Sequence, residues 1–160
     1  MMATNLRPTL SLLIVLFAAI PAAADPDVTE STITYDVDGE TVEDIRAAMT
    51  ANSPESYWGY TKWYVSWTAQ CEVSVKITYT FPNWTDHDDA DEELQQYWDT
   101  FIANLELHEQ GHGNNGRSAG AEIEATGCVE DPYGIIEKWG GQDKVYDDET
   151  EHGTTQGAVF

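Results

Sequence analysis

An α+β domain is what this sequence predicts, and three observations predict it. Two runs alternate apolar and polar residues with period two in the amino-terminal half. One long stripe recurs at spacings of three and four in the carboxy-terminal half. A single pair of cysteines, Cys71 and Cys128, is placed to tie the halves together. The expectation is a small antiparallel sheet packed on a long helix and closed by one disulfide.

Before those elements stands a leader. Arg7 precedes an apolar run from Leu10 to Ile20 that ends in Pro21-Ala22-Ala23-Ala24, the form of a secretory signal peptide with small residues at the cleavage positions. The run is shorter than the roughly 20 apolar residues a bilayer span needs, so cleavage after Ala24 is expected, with an uncleaved amino-terminal anchor as the alternative. Residues 1–24 are thus assigned to a signal peptide, 25–146 to a single domain and 147–160 to an acidic, flexible tail. The protein is expected in the periplasm or outside the cell.

The formal charge of −22 becomes more negative once the leader and its one arginine are removed. So negative a chain repels phosphates and excludes nucleic acid as a partner. No second apolar stretch approaches membrane length. In an oxidising compartment an even cysteine count reads as a bridge; two free thiols or a metal pair are the alternatives, and no CxxC spacing supports the latter.

Residues 31 to 37 alternate Ile33, Tyr35 and Val37 with polar neighbours and precede the Asp38-Gly39 turn, which predicts an edge or half-buried strand. Thr41 can cap a short helix through Met49, and Asn52 to Gly59 reads as a loop. Trp63, Val65 and Trp67 then share one face of a strand. Val73, Val75, Ile77, Tyr79 and Phe81 share one face of the next, with Pro82 expected to end it. The acidic run Asp86 to Glu93 suits a solvated helix start better than a calcium loop, whose glycine and distal glutamate it lacks.

The stripe Leu94, Tyr97, Trp98, Phe101, Leu105, His108 and His112 predicts a helix from about Asp91 to His112. Gly113-Asn114-Asn115-Gly116 is a weak place where it would end, to be resumed by Arg117 to Ala125. The last two members of the stripe are imidazoles. In His108-Glu109-Gln110-Gly111-His112 they stand one helical turn apart and can reach one zinc ion, leaving Glu109 beside them to take a proton from water attacking a carbonyl. Two core histidines satisfied by hydrogen bonds are the alternative.

Tyr35-x-Val37-x-Gly39, Arg46 and Met49, Gly59-Tyr60-Thr61-x-Trp63-x-Val65-x-Trp67, Cys71, Pro82-x-Trp84, Trp98 and His108-Glu109-x-Gly111-His112 together resemble a bacterial family of unknown function described as predicted secreted zinc-dependent proteases. The resemblance spans roughly residues 30 to 128. It implies a zincin-like domain with Zn2+ as cofactor, His108 and His112 as ligands and Glu109 as catalytic base. The family's helix continues through alanine-rich sequence after the motif, where this chain has glycines and asparagines.

A third protein ligand is not evident. Ser118 stands where a metzincin would carry its next ligand. Glu122, Glu124, Glu130 and Asp131 are weak candidates; Glu122 would need the chain to fold back at Gly113 to Gly116, being about 15 Å along an unbroken helix from His112. The leading expectation is a monomeric zinc metalloprotease acting on a peptide or protein substrate. The alternative is a non-catalytic envelope or binding protein with a structural metal or none.

Overall fold

The computed structural model describes residues 25–160, and the expected leader, residues 1–24, lies outside the described residues. The element order is β1 (Asp27–Val37), α1 (Val42–Asn52), β2 (Tyr60–Trp67), β3 (Val73–Trp84), α2 (Glu92–Ala125) and α3 (Pro132–Thr150), with short 3-10 turns at His87–Asp89 and Thr154–Gln156. The architecture is α+β, as the two periodicities predict. Among the described residues, no helix is long and apolar enough to cross a membrane.

The sheet has the order β1-β3-β2. The strands β2 and β3 pair antiparallel, with Val65 opposite Val75 and Trp67 opposite Val73, so the two alternating runs present their apolar faces to the same side. The expectation of a wholly antiparallel sheet is corrected by β1, which runs parallel to β3 from Asp27↔Ser74 to Val37↔Trp84. Parallel neighbours need a long crossover, and here α1 and β2 intervene between the two strands, leaving β3 in the middle. The strand β3 also runs past Pro82 to Trp84. Its pairing with β2 stops at Thr80, so Pro82 stands where β3 has lost one neighbour and a missing N–H is tolerated.

Thr41 caps α1 by accepting from the Asp44 backbone N–H, and Ile45 and Met49 are the residues this helix buries. Asp91 caps α2 by accepting from Leu94 N–H, and Glu92 and Glu93 occupy the first turn, where the helix dipole favours negative charge. The apolar stripe of α2 meets β3 and α1 in the main core, with Phe101, Ile45, Met49 and Ile77 fully buried.

The predicted break in α2 does not occur: the helix is continuous through Gly113-Asn114-Asn115-Gly116. Its glycines are there for close approach to the sheet. A methyl at Gly113 would stand 2.3 Å from the Tyr79 hydroxyl, one at Gly116 2.7 Å from Trp63, and one at Gly120 2.3 Å from Val75. Packing against the sheet offsets the roughly 1 kcal/mol that each helical glycine costs, which a propensity argument alone does not see.

Residues 147–160 also differ from the flexible tail expected of them. They form the last turn of α3, a 3-10 turn and a short strap ending in the core, where Phe160 is 1% exposed against Tyr97, Trp98 and Phe101. The acids of this segment mask its few apolar anchors from a compositional reading. At the far end of the molecule, Cys71 in the β2–β3 turn is bonded to Cys128 in the α2–α3 turn. Closing 57 residues of chain restricts the unfolded state by about 4 kcal/mol in the loop-entropy account. A second, small core of Val73, Ile123 and Ile135 packs around this bridge.

Candidate metal centre

The helices α2 and α3 form an antiparallel hairpin. Glu122 meets Lys138 near its turn, and His112 meets Asp143 and Asp147 farther along. This pairing lays the cleft face of α3 over the motif face of α2. His108, His112 and Asp147 come together there, each offering one ligand atom, all within 4.8 Å of one another. The His108 Nε2 stands 3.3 Å and the His112 Nε2 3.1 Å from the same Asp147 Oδ1. Donors about 2.1 Å from a tetrahedral zinc stand roughly 3.4 Å from one another, so the two nitrogens and one oxygen fit an ion of that size.

Both rings are oriented from behind. The His112 Nδ1 donates to Asp143 Oδ1 at 3.1 Å, and the His108 Nδ1 donates to Gln156 Oε1 at 2.9 Å. Each Nε2 is thereby left for the centre, the arrangement in which an outer acceptor fixes the tautomer of a ligating histidine. Asp143 is held in turn by Trp63 Nε1 and Asn115 Nδ2, each at 2.8 Å. Tyr146 stacks flat on the His108 ring at 5.1 Å. Its seat requires Gly111, because a methyl there would stand 2.3 Å from the phenol.

Glu109 is 4% exposed, and Thr61 at the start of β2 donates to its Oε2 at 2.7 Å. Burial pushes its carboxyl above the ordinary carboxylate range, against the Thr61 hydrogen bond. Burial likewise lowers His108. On His112 burial acts downward too, but the Asp143 hydrogen bond and the Glu109 and Asp147 charges outweigh it, and the imidazole is raised. The three groups line a cleft of about 580 Å³, bounded on one side by Tyr57, Trp58 and Gly59 and on the other by Gly140, Lys144 and His152. A buried carboxylate beside two imidazoles and a second carboxylate, open to a cleft, has the parts for metal-assisted hydrolysis.

The structure brings together three of the residues singled out in the sequence, His108, Glu109 and His112, and leaves the weak third-ligand candidates elsewhere. Glu122 is engaged by Lys138 and Trp139. Asp131 caps α3 by accepting from Gly134 N–H, Glu130 is exposed in the preceding turn, and Glu124 lies on the last turns of α2. The third member of the group is Asp147, from the segment read as a tail. A signal for it was present: Asp131-Pro132 is a cap followed by proline in the first turn, and a helix begun there carries Asp143 and Asp147 on one face at a spacing of four.

The chain belongs to the family described as "Bacterial protein of unknown function (DUF922)", whose match covers residues 32–128. No curated protein and no solved structure matches it. The family match contains His108, Glu109 and His112 and stops short of Asp143, Asp147 and Gln156.

Proposed function

We propose that this DUF922 chain is a secreted or periplasmic zinc-dependent peptidase that hydrolyses peptide bonds in the cleft beside α2. The observation that carries the reading is the convergence of His108, His112 and Asp147 next to the buried Glu109, at the floor of an open cleft. Two imidazoles and one carboxylate are the donor set of catalytic zinc, which keeps a further position open. Bound at these atoms, zinc would supply Lewis acidity toward water and toward the substrate carbonyl.

The chain's own residues do the rest. Asp143 and Gln156 keep the two Nε2 atoms turned inward. Glu109, a stronger base for its burial, accepts the proton of the attacking water on a carboxylate oxygen and passes it to the leaving amine. Thr61 keeps that carboxylate in one orientation. Tyr57 and Trp58 give the cleft in which an extended peptide chain would lie an aromatic wall. The disulfide between Cys71 and Cys128 suits the oxidising compartment in which such an enzyme would act.

Glu109→Gln tests the assignment, because it keeps the side chain's size and leaves every candidate ligand in place. The expected outcome is a protein with unchanged metal content and fold and hydrolysis of a peptide library reduced by a factor on the order of a hundred or more. Equal cleavage by the variant would contradict the role of Glu109. One observation favours a second reading, a non-catalytic binding protein with a structural ion: the exposed His152 has its Nδ1 3.5 Å from Asp147 Oδ1 and, turned inward, would close the site as a fourth ligand. X-ray absorption of the zinc protein separates the two, three imidazoles with the carboxylate supporting the structural site and two the peptidase.

A further inference from the structure

From the strap that follows α3 we infer that residues 151–160 are a positioning device for the metal centre, so that strap docking and metal binding are one coupled equilibrium with Gln156 as its contact and Phe160 as its anchor. The inference rests on the metal centre proposed above but not on catalysis.

His108 is buried by this strap. Gly153 lies against its ring, close enough that a methyl on Gly153 would stand 3.0 Å from the His108 Cγ. The Gln156 Oε1 accepts from His108 Nδ1, and the Gln156 Nε2 donates at 2.9 Å to the hydroxyl of Tyr146, whose ring stacks on the same imidazole. The strap is fastened at both sides of Gln156. Upstream, Glu151, His152 and Gly153 have φ of 50°, 52° and 83°, three successive residues in the left-handed region, which for the two that carry side chains persists only where surrounding contacts hold it. Downstream, Asn104 Nδ2 donates to the Gly157 carbonyl at 3.0 Å, Arg46 donates to the Phe160 main-chain oxygen, and the Phe160 ring fills the aromatic core.

The segment is therefore held by specific contacts along its length, and one of them sets the tautomer and direction of a candidate ligand. Releasing Phe160 undocks the downstream end of the strap, so that Gln156 is no longer held on His108 and the imidazole is free to turn. By linkage, an ion that needs His108 Nε2 turned inward must in return favour the docked strap.

The experiment is zinc affinity by competition with a chelator, together with hydrogen exchange over 151–160, on the full chain. Gln156→Ala should weaken zinc binding about ten- to a hundredfold, the range for removing an outer partner of a ligand, and Gln156→Glu, which keeps an acceptor, should restore most of it. Phe160→Ala should weaken zinc by at least about tenfold and raise exchange across the strap; Phe160→Leu, a milder truncation, should lie between it and the parent. Zinc should slow exchange of 151–160 in the parent. Ile123→Ala, fully buried in the small second core, should lower thermal stability comparably and leave zinc affinity within about twofold. Unchanged zinc affinity in Gln156→Ala and Phe160→Leu would overturn the inference, as would an equal loss in Ile123→Ala. So would a protein that takes up no zinc. Zinc binding and strap protection without hydrolysis would overturn the peptidase reading alone.

Discussion

The two walls of the candidate metal centre differ in how they are built. On α2, two histidines and a glutamate sit within five residues, and helical geometry alone turns both imidazoles to one side. On α3 and the strap, Asp143, Asp147 and Gln156 have no motif and reach the same centre by long-range packing, with 31, 35 and 48 residues separating them from their histidine partners. The α2 wall is a local property of sequence. The α3 wall exists only if the hairpin, the disulfide turn and the strap all form. The family match covers the first wall and ends at Cys128, where the second begins.

If the α3 wall depends on the hairpin turn, removing the disulfide is the strongest way to separate the two. Cys71→Ala with Cys128→Ala should cost about 4 kcal/mol of stability in chemical denaturation. Exchange protection should fall first in α3, since the bridge ties its leading turn to the sheet. Uniform loss of protection along α2 and α3 would mean that the two walls are one unit.

A smaller perturbation tests whether the α2 wall and the α3 wall are joined through the sheet. Gly116→Ala would put a methyl 2.7 Å from Trp63 Cβ and Cγ, and Trp63, with Asn115, holds Asp143 in place, donating through its indole N–H. A stability loss of about 1–3 kcal/mol, the usual cost of overpacking, should be accompanied by weaker metal binding. Loss of stability with unaltered metal affinity would show that Trp63 does not transmit the displacement.

The same contrast explains what was legible in the sequence. Period-two alternation fixed β2 and β3 and their shared face, and the stripe from Leu94 to His112 fixed α2 and the side on which its histidines project, because both signals are periodic and local. The parallel pairing of β1 was hidden, since an alternating strand looks the same whichever way its neighbour runs. The continuity of α2 through Gly113 and Gly116 was hidden because the compensating contacts, Tyr79 and Trp63, lie on other elements. Asp147 was hidden among Asp148, Glu149 and Glu151, a run whose composition reads as solvated tail. Only Asp131-Pro132 ahead of it marked a helix start.

If one divalent ion is held jointly by both walls, its stoichiometry should fall when either wall loses a ligand. Elemental analysis of protein purified without a metal-affinity tag, followed by zinc titration, measures this when the parent is set beside His112→Ala and Asp147→Ala. The expected result is about one equivalent of zinc in the parent and loss of that equivalent in both variants, because each removes one of three candidate ligands. An Asp147→Ala protein that keeps its full equivalent would contradict it, as would a parent that holds less than about a tenth of an equivalent of any transition metal and takes up none on titration.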